Sequence, residues 1–375
     1  MGFSKNGGMG WWQAIGLLAA LAAASGLLAQ ERAGPGADAW LGLPAPVALA
    51  HNPPTPEKIA LGRALFMDAR LSADGSTSCA SCHQPERAFT DGRARAQGIH
   101  AGLGTRNTPS LLNVGFAQSL FWDGRRSSLE AQAADPLLDA REHGLANEAA
   151  VLRLLREHHA AGFRTVFGVK PQDIAMTHFA MAVASFERSL LAGNSAFDRH
   201  AYAGDATALS ASAQRGLVLF KGEAQCASCH TIGPKSALFT DDKFHSVGVG
   251  LRRVEDQLPA LTMRLARASA EGQAVPLDTD MAELGRFFVT LRPEDLGKFR
   301  TPGLRNVALT APYMHDGSVA TLEEAIDLEI YYRGATQGRP LLLTPTDRAD
   351  LLAFLHALTS QHLEPGGPAT PATTP

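Results

Sequence analysis

Two short stretches carry the chemistry. Cys79-Ala80-Ser81-Cys82-His83 is a C-x-x-C-H sequence, and it returns as Cys226-Ala227-Ser228-Cys229-His230. Two thiols three residues apart can each add to a vinyl group of one haem, and the adjoining imidazole then lies under the ring as proximal iron ligand. A C-x-x-C alone could be half a zinc site or a redox dithiol. A zinc site asks for no histidine directly after each second cysteine, and the strand–helix setting of a thioredoxin-like dithiol is missing. All four cysteines of the chain are used by the two motifs. The spacing predicts two covalently bound haem c groups, attached through Cys79, Cys82, Cys226 and Cys229, with His83 and His230 as proximal iron ligands.

The elements that must position these motifs are helical. Thr55-Pro56-Glu57 offers a capping hydroxyl, a proline at the first helical position and an acid in the first turn, and Ile59, Gly62, Leu65 and Phe66 follow at helical spacing. That helix ends before the first motif. The second half reuses the plan: Leu209, Ala213, Leu217 and Phe220 form a stripe, Gly216 admits another backbone, and Cys226 comes soon after. Phe179, Val183, Phe186 and Leu190 share a core-packing face between Asp173 and Leu191. Thr321 with Glu324 reads as a capping box, and Thr344-Pro345 with Asp347 starts a last helix. No alternating run is long enough to argue for a sheet. The class is all-α, with two cytochrome-c-like haem domains packed together: 55–205 around the first haem and 206–363 around the second.

With 375 residues the chain has room for a sizeable core, and its net charge of -3 implies neither nucleic acid nor anionic lipid. Lys5 precedes an apolar run from Trp11 to Ala29, and Ala22-Ala23-Ala24 offers a cleavage site. Residues 1–30 therefore read as a signal peptide or, alternatively, an uncleaved N-terminal anchor, since the run is about the minimum that spans a bilayer. Either way the body faces the periplasm, where haem is attached covalently. With no spare cysteine, no structural disulfide is expected there. Residues 31–54 read as a Pro/Gly-rich linker or arm and 364–375 as a disordered tail.

From about Thr55 to Thr359 the chain resembles the bacterial dihaem cytochrome c peroxidases and their MauG-type relatives, which oxidise tryptophans of a partner protein. The resemblance is carried by Arg87-Ala88-Phe89-Thr90-Asp91-Gly92, Arg106-Asn107-Thr108-Pro109, Phe121-Trp122-Asp123-Gly124-Arg125, Phe244-His245-Ser246-Val247-Gly248 and the long run from Phe299 to Gly317. It implies that peroxide reacts at the first haem and that electrons enter at the second. Trp122 matches the tryptophan between the haems. Gln132 and Glu142, ten and twenty residues further on, match the distal glutamine and catalytic glutamate, and Pro136 a proline of that pocket. Asn107, Thr310 and Pro312 match positions that hold a calcium ion between the domains, and an oxygen-only site suits that hard cation. His100 lies one residue from the place of a labile distal histidine that closes the first haem at rest. For the second haem the family places methionine, or in MauG proteins tyrosine, seventeen residues after Pro312. Ungapped counting gives Glu329. A two-residue insertion gives Tyr331, the preferred distal ligand, although helical spacing from Leu322 and Ile326 puts Glu329 on the inward face.

Read without the family, Trp122 is an ordinary core or interface aromatic, and Glu142 sits in a charged stretch that could be solvated surface. Cleaving a peroxide bond nonetheless needs a group that takes a proton from the near oxygen and returns it to the far one. A carboxylate does this when burial raises its pKa toward neutral. The resemblance implies an enzyme reducing hydrogen peroxide to water with electrons from a small periplasmic cytochrome c or cupredoxin. A MauG-like enzyme using peroxide-derived high-valent haem on a partner protein is the first alternative. A non-catalytic dihaem carrier is the second. Homodimerisation, common among relatives, stays open.

Overall fold

The structure, a computed structural model, describes residues 1–2, 40–46, 49–336, 338 and 340–363. The expected signal segment 1–30, most of the 31–54 arm and the tail from 364 lie outside the described residues. No helix among the described residues is long and apolar enough to cross a membrane. All elements named below belong to one unit that begins at Trp40.

Among the described residues the chain is helix-rich. Its longer helices are α1 (Pro56–Phe66), α2 (Glu148–Phe167), α3 (Met176–Arg188), α4 (Ala211–Lys221), α5 (Leu258–Ala270), α6 (Leu322–Thr336) and α7 (Pro345–His356). The starts read from the sequence form for the expected reason, the capture of orphan backbone donors. Thr55 Oγ1 accepts from Lys58 N–H at 3.2 Å, Thr321 Oγ1 from Glu324 N–H at 3.2 Å and Thr344 Oγ1 from Asp347 N–H at 3.2 Å.

Among the described residues, two apolar clusters are much larger than the rest. One joins Leu65, Phe66, Phe163, Phe179, Val183 and Phe186, and the other joins Phe197, Phe220, Phe239, Leu351 and Phe354. Each is built on a close helix crossing with a glycine at the contact. A Cβ on Gly62 of α1 would lie 2.0 Å from the Ala182 carbonyl oxygen of α3, and one on Gly216 of α4 would lie 1.9 Å from the Asp350 carbonyl oxygen of α7. Backbones this close leave no volume for a methyl group. The expectation of no sheet needs one amendment. β1 (Phe244–His245) pairs antiparallel with β2 (Phe299–Arg300), a ribbon too short to show any periodicity in sequence.

Candidate haem and peroxide site

Both C-x-x-C-H motifs fold into a single tight turn. Cys79–Cys82 is helical and Cys226–Ser228 a 3₁₀ turn, and in each the histidine N–H closes on the first cysteine's carbonyl at 2.9 Å. The four thiols are free. His83 Nδ1 lies 3.0 Å from the Phe89 carbonyl oxygen, and His230 Nδ1 lies 2.9 Å from that of Phe239. A ring nitrogen donating to a backbone carbonyl fixes the tautomer and leaves Nε2 as an acceptor, the state a metal takes. Burial lowers the pKa of both imidazoles, which also favours the neutral ring.

Glu142 is half-buried. Burial first, then the charge of Asp139, pushes its carboxyl up to about 7 against the pull of Arg125 and Arg141. The first motif touches the loop that packs on Glu142: Cys82 Sγ lies 3.7 Å from the Gln97 carbonyl oxygen. The loop after the motif folds over Glu142. Ile99 N–H donates to the Glu142 carbonyl at 3.0 Å, and a Cβ on Gly98 would lie 2.1 Å from the Arg141 carbonyl oxygen. Gln132 ends the short Leu129–Gln132 helix, capped by Ser128, and is half-buried. Pro136 lies in the next short helix, Asp135–Leu138. His100 rides on the same covering loop with φ 52°, but its side chain is 75% exposed, with Nδ1 3.5 Å from Asp74. In this state it stands in solvent.

Trp122 sits in a clamped loop. Its indole N–H donates to the Asn107 carbonyl at 3.0 Å. The neighbouring Asp123, fully buried, takes Arg106 at 2.8 Å and Arg125 at 2.9 Å, while Arg286 donates to the Asp123 and Gly124 carbonyls at 2.9 and 2.8 Å. Phe121 at φ 63° and Gly124 at φ 67° turn the chain within a Leu120–Arg126 bridge. The same turn recurs 193 residues on (314 − 121): Met314 at φ 70° and Gly317 at φ 65° within a Tyr313–Val319 bridge. At that offset His315 is the counterpart of Trp122, and Arg300 of Asn107. The halves exchange bonds reciprocally: Asn107 N–H donates to the His315 carbonyl at 2.9 Å and Arg300 N–H to the Trp122 carbonyl at 2.8 Å. The constant offset between the two Asp-Gly pairs was the signal in sequence for this repeat.

A cavity opens beside the second motif. Cys226, Cys229 and His230 line one side, Trp122 and Arg300 an edge, and α6 the other side through Leu322, Ala325, Ile326, Glu329, Ile330 and Arg333. Tyr331 is not among the lining residues. It is 58% exposed, edge-on to Tyr332 at 5.2 Å. Of the two residues that counting offered as distal ligand, Glu329 lines this cavity and Tyr331 does not, α6 running without the two-residue irregularity that Tyr331 required.

These residues fit haem. The paired free thiols, the imidazoles with committed Nδ1 atoms and the cavity all ask for a macrocycle. Arg300 Nε, buried without a partner, lines the cavity edge where an anionic propionate would answer it. Asn107, Thr310 and Pro312 line one common cavity with Trp122, and the Asn107 amide nitrogen is committed to the Arg93 carbonyl at 2.9 Å. That leaves its Oδ1 for a cation.

Comparison with known proteins gives a consistent answer. Residues 56–207 match the family described as di-haem cytochrome c peroxidase. The chain is 39% identical over 335 residues to cytochrome-c peroxidase IdrP1 of Denitromonas iodatirespirans, spanning 84% of this chain and 85% of that one. It is 36% identical over 318 residues to the methylamine utilization protein MauG of Methylorubrum extorquens, spanning 83% and 80%. Among solved structures, a MauG-like protein associated with microbial copper homeostasis superposes with a TM-score of 0.70 at 34% identity, covering 86% of this chain and 95% of the other.

Proposed function

The chain belongs to the di-haem cytochrome c peroxidase and MauG family of haem oxidoreductases, and from that premise we propose that it reduces hydrogen peroxide to two waters. Two electrons and two protons are consumed, the electrons coming from a small periplasmic cytochrome c or cupredoxin. The observation that carries this reading is Glu142, a carboxyl held near pKa 7 beside the first haem motif.

When bound through Cys79, Cys82 and His83, and through Cys226, Cys229 and His230, the two haems supply the redox chemistry. The protein supplies the rest. Glu142, poised near neutrality, takes the proton from the near peroxide oxygen and returns it to the far one, at which point that oxygen leaves as water. The Gln132 amide orients the peroxide by hydrogen bonding. The Phe89 and Phe239 carbonyls hold the proximal imidazoles in one tautomer and so set how strongly each ring donates. Trp122, fixed by its bond to the Asn107 carbonyl, is the bridging aromatic through which an electron passes between the two halves. Asn107, Thr310 and Pro312 hold a calcium ion that keeps this junction rigid, and His100, on the loop over Glu142, is the ligand that closes the first site at rest.

A second reading, oxidation of a partner protein, is favoured by one observation: exposed Tyr331, edge-on to half-buried Tyr332 on the helix that lines the second cavity, is a route for oxidising equivalents to the surface. The test is steady-state turnover of the two-haem protein with reduced cytochrome c. Two cytochromes oxidised per peroxide are expected. Absence of turnover after pre-reduction overturns the peroxidase reading.

A further inference from the structure

Five donor-bearing side chains other than the motif's own line the cavity beside the second haem motif: His245, Tyr313, Met314, His315 and Glu329. Three are committed elsewhere. His245 Nε2 is 2.8 Å from Asp241, the Tyr313 hydroxyl donates to the Val307 carbonyl at 3.1 Å, and His315 Nε2 is 2.8 Å from Glu283 with its ring stacked on Phe299 at 3.6 Å. Met314 sits in a left-handed turn at φ 70° and is shared between this cavity and the one lined by Asn107. Glu329 differs in kind. It is the one carboxylate on the cavity wall, and its ion-pair partner, Arg333, is a loose 3.5 Å away.

Glu329 is also well aimed. Arg333, one turn further along α6, donates to the Gln225 carbonyl at 2.8 Å and to Ser228 Oγ at 3.0 Å, so the helix is tied to the loop that carries Cys226. The lining positions 322, 325, 326, 329, 330 and 333 recur at helical spacing and make one face. Bringing Tyr331 onto that face in place of Glu329 would turn the helix by roughly 200°, two residues at 3.6 per turn.

We infer that the Glu329 carboxylate is the distal ligand of the second haem iron, on the side away from His230. The inference rests on the proposed haem at Cys226, Cys229 and His230 and deepens it. An anionic oxygen donor in place of a thioether lowers the reduction potential of that iron, since neutral methionine with histidine raises it.

The experiment uses the full-length two-haem protein and reads ligation, not turnover. Haem content by pyridine haemochrome comes first: fewer than two haems in the wild type overturns the haem assignment itself, separately from the ligand. With two haems present, Glu329→Gln is expected to change the electron paramagnetic resonance signal and raise the potential of one haem only. Glu329→Met is expected to convert that haem to a low-spin form with a methionine-to-iron near-infrared band. Tyr331→Phe and Met314→Leu are expected to leave both spectra as in the wild type. Unchanged spectra and potentials in Glu329→Gln overturn the inference. So does a phenolate resonance Raman band that vanishes in Tyr331→Phe, or loss of a ligand in Met314→Leu. If Glu329→Gln fails to retain haem, the wild-type Raman spectrum with the Tyr331→Phe and Met314→Leu proteins still decides, because a tyrosinate or thioether signature excludes the carboxylate and its absence from a six-coordinate second haem supports it.

Discussion

The loop from Leu120 to Arg126 and the loop from Tyr313 to Val319 have the same backbone and different contents. Both close with one bridge, both put a non-glycine residue at positive φ and both turn on Asp-Gly. Each receives one N–H from the other half. What stands on the scaffold has diverged. An indole faces the junction in one and a buried imidazole in the other. Asp123 is a fully buried anion between two guanidinium groups, while Asp316 is half-buried and accepts only the Ser318 N–H at 3.1 Å. Further along, Gln132 and Pro136 correspond by the same 193-residue offset (325 − 132, 329 − 136) to Ala325 and Glu329. Duplicating a backbone is cheap in sequence terms, since a few positions fix the turn. Function is then assigned by which polar groups each copy buries.

The largest effect that should follow from this asymmetry is at Glu142. Glu142→Gln is expected to slow peroxide consumption by about 10²–10⁴ with both haems retained, the usual worth of a positioned acid–base group. Stopped-flow mixing with peroxide measures it. The base form is the carboxylate, so the wild-type rate should fall as pH drops below about 7, and the variant should lose that limb. The stability sign runs the other way. Burial raises the folded carboxyl from its ordinary 4.5 to about 7, so the folded state binds the extra proton and wild-type stability falls as pH rises through that window. Glu142→Gln should lose less stability between those values in denaturant titrations. A matching loss of peroxide reactivity from Ala325→Gln in the second half would break the division of labour.

Next comes Asp123. Asp123→Asn leaves Arg106 and Arg125 facing each other without their anion, and removing one partner of a buried ion pair costs about 3–5 kcal/mol. Denaturant unfolding checks this, and Trp122 fluorescence should report a loosened loop. The two glycine crossings give a closer match between halves. Gly62→Ala and Gly216→Ala should each destabilise by about 1–3 kcal/mol through overpacking, since both Cβ positions fall on a carbonyl oxygen. Melting curves that differ sharply between the two would show that one cluster yields where the other does not.

Legibility in the sequence followed the range of the forces involved. The haem motifs, the caps at Thr55, Thr321 and Thr344 and the close approach at Gly216 are local, and local residues specify them. The environment of Glu142 is not. Its neighbours in sequence are charged, and what poises it is a loop some forty residues earlier that packs backbone to backbone through Gly98. The β1–β2 ribbon escaped because two residues cannot display a period. A count across the family points to Tyr331, whereas the helical phase of Leu322 and Ile326 brings Glu329 to the cavity wall. The exposure of His100 is likewise not legible, since it depends on where the turn of its loop points, with a φ of 52° at the residue itself.

The smallest expected effect is the sharpest test of the comparison. Asp316 occupies the same place in the repeat as Asp123, so if the Asp-Gly turn alone demanded the aspartate, the two asparagine variants would behave alike. The physical surroundings say otherwise. Asn can still accept the Ser318 N–H, no guanidinium depends on Asp316, and Glu283, whose carboxylate lies within 4.8 Å of it, already has Arg253 at 2.6 Å and His315 at 2.8 Å. Removing a second negative charge there relieves repulsion. Asp316→Asn should therefore change stability by no more than about 0.5 kcal/mol, as for a surface substitution, with the sign toward stabilisation and less so at high salt. A loss comparable to that of Asp123→Asn would mean that the aspartate is required by the turn in both halves, and that the buried arginines around Asp123 are a consequence of the scaffold instead of the reason its anion is kept.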